Sequence, residues 1–323
     1  MTTAKPLTIS ILIPTYNRPH QMAEAIASIA AQDLALVGEV LVGDDSSTPE
    51  FRAANEAVIA ASPIAHLIRY LPNTPAKGNY PNQWFLGTTA RCEYVLILHD
   101  DDHLRPGGLS TLATACENEQ DPRVKIWFGR YFVIDERAWI NWEETAFHNK
   151  RFGRNGPGAA RPVSQWCLTE ALPPNSFLVA KDTYTRFMEG SKDGNVGDWG
   201  FAVRLANSGA WGRLIAEDVS TYRVQKGSVT TAGRGLDAHR AYELADELVV
   251  PEDVIPQKRR RFSVVAPVAT IRYARDGERI KAWKCFFSPY WTWQQRLSVR
   301  CCVTLLMLLT PRMLWTWALR YRN

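Results

Sequence analysis

The chain has 323 residues, 46% hydrophobic and 22% charged, enough apolar material for a full core and too much for a disordered or fibrous protein. Its net charge of +5 hides an asymmetry: residues 257–323 hold 14 Lys or Arg against Asp276 and Glu278, a balance of +12 that leaves −7 for residues 1–256. Six cysteines in no paired metal spacing, in a chain too long to need disulfide staples, and a polar start from Met1 to Pro6 point to a reducing cytoplasm and no export signal.

From Leu7 to Ile134, apolar runs of strand length alternate with stretches of helical period, the pattern of a Rossmann-like, mainly parallel sheet with flanking crossover helices. Leu7–Ile13 reads as the first strand, and Met22, Ala25, Ile26 and Ile29 recur at helical spacing after it. Val40–Val42 is a short second strand, Phe51 to Ala61 an Ala-rich helix, His66–Leu71 a third strand and Asn82 to Ala90 another helix. Tyr94–Leu98 and Val124–Ile134 follow as strands four and five.

Beyond Ile134 the rhythm breaks, and 149–162, with Gly153, Gly156, Pro157 and Gly158, reads as a mobile loop. Ser176–Ala180 then predicts a strand, Asp198 to Ser208 a helix, Trp211–Ile215 and Ser220–Val224 two strands, and Leu236–Val249 a helix. Pro251 and Pro256 mark a boundary, so that 1–135 and 136–256 form two halves of one domain.

From Gln257 the chain is basic and rich in tryptophan (Trp283, Trp291, Trp293, Trp315, Trp317). Its apolar run Cys301–Leu309 is far short of the ~20 residues that span a bilayer. Arg296, Arg300, Arg312, Arg320 and Arg322, with interface-seeking Trp, favour amphipathic helices lying on an anionic membrane. The alternative is a tail packed on the rest of the chain or on a second copy as a homo-oligomer; nucleic acid is not an expected partner.

Four polar clusters close strands or open loops. Asp100-Asp101-Asp102 follows the Tyr94–Leu98 run, and like charges massed at a strand end are costly unless a cation neutralises them. Oxygen ligands in a loop suit Mg²⁺ or Mn²⁺ better than zinc. Pro14-Thr15-Tyr16-Asn17-Arg18 offers a ring for stacking on a base and a hydroxyl near backbone amides. Gly43-Asp44-Asp45-Ser46-Ser47 offers a carboxylate to the N–H of a uracil-like base, or a helix cap. Gly197-Asp198-Trp199 opens a helix, where an acid gains from the dipole.

Ser10–Arg18, Val42–Ser47, and Leu98-His99-Asp100-Asp101-Asp102 with Pro106 following together resemble family 2 glycosyltransferases of the GT-A fold, most clearly over residues 7–135. The resemblance implies an inverting transfer from a nucleotide-diphosphate sugar, with UDP the expected nucleotide and dTDP or GDP the alternatives. Tyr16 and Asp45 hold the base, Pro14, Thr15, Asn17, Arg18, Asp44, Asp100 and Asp101 complete the nucleotide site, and Asp101 and Asp102 bind Mn²⁺ or Mg²⁺. Asp198 matches the catalytic base. Lys77 and Asn82 are expected to line the nucleotide cleft and Trp199 the acceptor side, whereas Trp142 and Trp166 read as packing residues and His103 as a loop residue.

Two positions depart from the family pattern. His99 stands where the family carries the first carboxylate of Asp-x-Asp-Asp, and Gln225 where many relatives carry a histidine, leaving Arg223 or Lys226 as phosphate partners or ordinary surface cations. The expected activity is extension of a polyprenyl-linked saccharide for O-antigen, capsule or exopolysaccharide on the inner face of the cell membrane. A sugar nucleotidyltransferase would show a Gly-rich basic loop where Pro14-Thr15-Tyr16-Asn17 stands, and a dinucleotide oxidoreductase would show Gly-x-Gly-x-x-Gly there. A degenerate nucleotide-binding scaffold is the non-enzymatic alternative.

Overall fold

The computed structural model describes residues 7–188, 193–224 and 237–311. Eight strands, β1 (Ile9–Thr15), β2 (Val37–Asp44), β3 (Ile68–Pro72), β4 (Tyr94–Ile97), β5 (Val124–Ile134), β6 (Ala159–Pro162), β7 (Phe177–Ala180) and β8 (Trp211–Arg223), form one sheet in the order β3-β2-β1-β4-β7-β5-β8-β6. The helices are α1 (Pro19–Ala30), α2 (Pro49–Ala60), α3 (Asn79–Thr89), α4 (Gly108–Glu117), α5 (Trp142–Arg151), α6 (Val163–Thr169), α7 (Lys181–Phe187), α8 (Gly197–Asn207) and α9 (Ala238–Glu247). Five more follow: α10 (Ile255–Phe262), α11 (Ala266–Asp276), α12 (Arg279–Phe286), α13 (Trp293–Arg296) and α14 (Val299–Leu309).

Every residue of β1 is buried, because helices cover both faces of the sheet, and this is why the strand reads as a continuous apolar run. In α1, Pro19 sits in the first turn and Met22, Ala25, Ile26 and Ile29 make the buried stripe that their spacing predicts. β1 pairs in parallel with β2 on one side and β4 on the other, and β2 pairs in parallel with β3. The chain therefore winds outward to β3 and then returns across β1 to β4. That reversal opens a crevice at the carboxyl ends of β1 and β4, the place where open α/β sheets bind ligands.

Three features add to or differ from the sequence reading. β7 inserts between β4 and β5 and is antiparallel to both, so Val124–Ile134 is not β4's neighbour. The strands expected at 211–215 and 220–224 are one strand, β8, whose pairing with β5 shifts register near Arg130 and Asp218. The stretch 149–162 holds the end of α5, an irregular segment at 152–158 and the edge strand β6, which pairs with β8. Within it Arg154 is buried, with its Nε donating to Ala171 O at 2.6 Å and its guanidinium over the Tyr131 ring.

Pro251 and Pro256 do not separate two cores. Phe262, Ala269, Tyr273, Phe286 and Trp291 from the basic region share one apolar cluster with Phe201, Leu205, Leu244 and Leu248. The Trp199 ring lies 5.4 Å from that of Phe262, and Tyr273 donates its hydroxyl to Glu243 at 2.7 Å. The outer faces of α13 and α14 stay apolar and exposed, with Trp293 82%, Leu297 85% and Val299 81% accessible. No helix among the described residues is long and apolar enough to cross a membrane. Arg312, Trp315, Trp317, Arg320 and Arg322 lie outside the described residues, as do Gln225 and Lys226.

Candidate active site

The acidic triplet sits in the crevice, just past the end of β4. Asp100 Oδ2 accepts from Thr15 Oγ1 at 2.8 Å and from the Tyr16 amide at 3.3 Å, tying the end of β1 to the triplet. Arg18 Nη1 bridges Asp100 (3.2 Å) and Asp101 (2.7 Å). Burial works against the Arg18 charge, but the two carboxylates outweigh it and push its pKa up. Asp102 Oδ1 accepts from the Arg223 amide at 2.7 Å, and its Oδ2 accepts from Asn175 Nδ2. Burial, reinforced by Asp101, drives the Asp100 carboxyl up to about 6 and raises Asp102 well above the carboxylate range.

His99, Asp101 and Asp102 each bring one ligand atom within 4.8 Å of the others. Two carboxylates and an imidazole suit a divalent cation, so the donor set fits a metal. The sequence places the candidate metal site on Asp101 and Asp102, and the structure brings His99 beside them. The signal for His99 was the departure from Asp-x-Asp-Asp.

On the nucleotide side, Tyr16 is 54% exposed, its ring free for stacking. Asn17, at φ 57°, accepts the Ser47 amide on its Oδ1 at 2.9 Å and donates its own amide to Ser46, lacing the β1 loop to the β2 loop. Asp45 receives the Gly78 amide (2.7 Å), the Lys77 amide (3.0 Å) and Asn73 Nδ2 (2.8 Å).

Three of the predicted residues, Pro14, Asp44 and Asn82, are buried, and Lys77 is exposed. Asp44 is fully buried and spent on Ser46, Asn55 and Tyr70, whose bonds outweigh burial and lower its pKa. Asn82 is buried behind β2, donating to Gly43 O at 2.8 Å; a Cβ at Gly43 would lie 2.3 Å from its Oδ1. The Lys77 ammonium rests 4.5 Å over the Phe85 ring. Pro14 is buried in β1.

Asp198 opens α8. Its Oδ1 accepts the Trp199 amide at 2.8 Å, and the buried Tyr80 hydroxyl donates to it. Burial raises the Asp198 pKa against those two bonds. Gly197 is required by close approach, since a Cβ there would lie 2.3 Å from the Tyr80 ring. One turn along α3 from Tyr80, Gln83 Nε2 lies 3.5 Å from His99 Nε2, so one face of α3 joins Asp198 to the acidic cluster. Tyr80, Gln83 and Asn175 are site residues that motif reading did not reach, because each comes from an unremarkable stretch of sequence.

Trp199 packs on Phe262, and Trp166 is a core residue edge-on to Phe128. Arg223 is neither a surface cation nor a phosphate partner: it is buried, bonded to the Asp101, Asp135 and Glu136 carbonyls and paired with Glu24. His103 also pairs with Glu24, at 3.3 Å, and burial and Arg223 lower its pKa.

A mostly parallel sheet with an acidic triplet at its switch point and flanking helices is the arrangement of the GT-A fold. Solved structures share it. The TarS fragment of Staphylococcus aureus is 13% identical with a TM-score of 0.54, covering 91% of this chain and 93% of that one. The mannosyltransferase PcManGT of Pyrobaculum calidifontis, in complex with GDP-Man and Mn²⁺, is 17% identical with a TM-score of 0.56, covering 95% and 88%. The sequence profile of glycosyl transferase family 2 matches residues 10–166, just under half of the chain, which supports a family 2 glycosyltransferase.

Two curated relatives are each 33% identical. One is an uncharacterized protein of Mycobacterium tuberculosis, over 48% of this chain. The other is a GalNAc(5)-diNAcBac-PP-undecaprenol beta-1,3-glucosyltransferase of Campylobacter jejuni, over 32%. The matched segments span 46% and 33% of those relatives.

Proposed function

We propose that this chain is a divalent-cation-dependent, inverting glycosyltransferase that moves a sugar from a nucleotide diphosphate to a lipid-linked saccharide acceptor. The observation that carries the reading is the face of α3 that sets a half-buried carboxylate, Asp198, through Tyr80, and touches His99 beside the acidic triplet through Gln83. Transfer by single displacement needs both parts: charge neutralisation at the departing diphosphate and a base for the acceptor hydroxyl. His99, Asp101 and Asp102 hold the cation, which supplies Lewis-acid stabilisation of the leaving group when bound. Asp198, its pKa raised by burial, takes the acceptor proton. Tyr16 stacks on the base and Asp45 accepts its N–H, a pairing that suits UDP, with dTDP and GDP as alternatives.

A polyprenyl-linked acceptor is supported by the Campylobacter relative's substrate name and by the exposed apolar face of α13 and α14, beside the exposed Lys284 and Arg300. Such a face docks on an anionic membrane and raises the local acceptor concentration. We assign the chain to the inner face of the cell membrane and to surface polysaccharide assembly.

The test is calorimetric binding of UDP, dTDP and GDP with Mn²⁺, with Mg²⁺ and with EDTA, on the wild type and on Asp102→Ala. Cation-dependent binding of one nucleotide, lost in the variant, is the expected result. Binding that is unchanged by EDTA and by the variant would overturn the cation-dependent reading.

A further inference from the structure

One face of β5 and one stripe of α5 enclose an open groove of about 450 Å³, outside the site described above. Trp142, Asn149 and Lys150 reach it from α5 at the spacing of one helix face; Arg130 and Phe132 reach it from alternate positions of β5, with Asp218 across on β8. Tyr131, between Arg130 and Phe132, turns to the other face, where its ring lies 5.4 Å from that of Tyr222. The Arg105 guanidinium, three residues beyond Asp102, rests 4.9 Å over the Phe132 ring, so the groove adjoins the segment that leaves the acidic triplet.

Trp142 reads as a packing residue in the sequence, yet it is 67% exposed and meets Phe132 in a T-shaped pair, leaving most of the indole open. Two buried polar atoms of the lining, Asn149 Oδ1 and Arg130 Nε, have no hydrogen-bond partner among the described residues. Asn149 is 7% exposed, and its Nδ2 donates to Tyr131 O at 3.0 Å and Thr145 O at 3.1 Å. Those two carbonyls fix the amide and leave its oxygen as an acceptor. Arg130 Nε lies 3.5 Å from Asp218 Oδ1, while Nη2 donates to Ala216 O.

These groups define the chemistry of a ligand. An anion would be repelled by Asn149 Oδ1 and Asp218, and a wholly apolar group would leave Asn149 Oδ1 and Arg130 Nε unmet. A sugar ring suits both parts of the lining, because its hydroxyls donate and accept together while its C–H face lies on the electron-rich face of an indole. We propose that the groove between α5 and β5 is a second saccharide site, holding a pyranose unit of a glycan away from the transfer point. The proposal rests on the saccharide-acceptor reading above and extends it. A glycan held here stays on the enzyme at raised local concentration while its end is presented for transfer.

The test uses the full chain in EDTA without nucleotide. Maltotetraose, cellotetraose and chitotetraose are each examined by saturation-transfer NMR and titrated by calorimetry against the wild type, Trp142→Ala, Trp142→Tyr and Asp198→Asn. At least one sugar is expected to bind the wild type at millimolar concentration. Its affinity should fall ~10-fold or more in Trp142→Ala, return in Trp142→Tyr and stay unchanged in Asp198→Asn.

Absence of saturation transfer to all three sugars in the wild type would overturn the proposal, and that arm needs no variant to fold. Binding unchanged in Trp142→Ala would place the sugar elsewhere, and binding lost in Asp198→Asn would place it in the catalytic crevice; either overturns the proposal. A loss in Trp142→Ala that Trp142→Tyr does not restore would trace the effect to packing and overturn it too. With no metal or nucleotide present, the outcome is separate from that of cation-dependent nucleotide binding, so failure of one reading is distinguishable from failure of the other.

Discussion

Asp198 and Tyr80 form the pair on which single substitutions should speak most clearly. Asp198→Asn keeps the shape and removes the base, so transfer should fall by ~10²-fold or more while nucleotide affinity changes little. Single-turnover kinetics beside nucleotide calorimetry checks this, and equal loss in both would refute the role. The Tyr80 hydroxyl stabilises the charged form of Asp198 and so lowers its pKa. Tyr80→Phe should raise that pKa further, moving the acid limb of the kcat–pH profile to higher pH; an unmoved limb would disconnect the pair. Asp198 stood out as a candidate because an acid at a helix start is a local pattern, and its proposed role as base came from the family resemblance. Tyr80 did not, since its only signal is a contact made across the fold with Gly197.

At the scale of elements, the start of α8 is fixed by a buried ion cluster. Asp193 has no solvent exposure and accepts from Arg204 Nη1 at 2.7 Å and Arg240 Nε at 2.9 Å, joining the approach to α8, α8 itself and α9. Removing the shared anion takes the carboxylate from Arg204, while Arg240 keeps Glu243 and Glu247, so Asp193→Ala should cost ~3 kcal/mol in urea unfolding and lower activity in the surviving folded fraction. Gly197→Ala places its Cβ in the Tyr80 ring and should depress kcat more than nucleotide affinity.

Elements whose identity depends on local pattern were read correctly: β4 and its acids, α1 from its buried stripe, and β5 over Val124–Ile134. What escaped was pairing order. Nothing in Phe177–Ala180 announces that it will slot between β4 and β5, because that depends on edges formed far away in sequence. Composition also could not separate Trp291, 4% exposed in the core, from Trp293, 82% exposed two residues later.

For the whole molecule, charge and surface set two expectations. Asp100 titrates near 6 because burial and Asp101 disfavour its charge. Between the ordinary carboxylate range and that value the folded protein keeps a proton that the unfolded chain has lost, so stability falls as pH rises through this window. A cation binding the deprotonated cluster reverses the loss. Mn²⁺ should therefore raise Tm more at about pH 7.5 than at about pH 5, and an equal rise at both would show that the triplet is not coupled to the metal.

The apolar face of α13 and α14 gives the second expectation. Because α10, α11 and α12 share the main core, deleting 257–323 would unfold the protein, and surface variants are the cleaner probe. Trp293→Ser with Leu297→Ser should cut sedimentation with anionic vesicles by ~10-fold without shifting the unfolding midpoint. Unchanged sedimentation would leave that face without a lipid role.

The placement of β7 carries a consequence for how the molecule is made. As the chain leaves the ribosome, Tyr94–Ile97 emerges with one edge paired to β1 and the other open, and stays so until Phe177–Ala180 arrives. Non-local closure of this kind is slow and leaves a strand edge able to pair with a neighbouring nascent chain. Residues 1–135 should consequently be prone to aggregation when expressed alone, and a truncated message would yield insoluble protein rather than a small folded module.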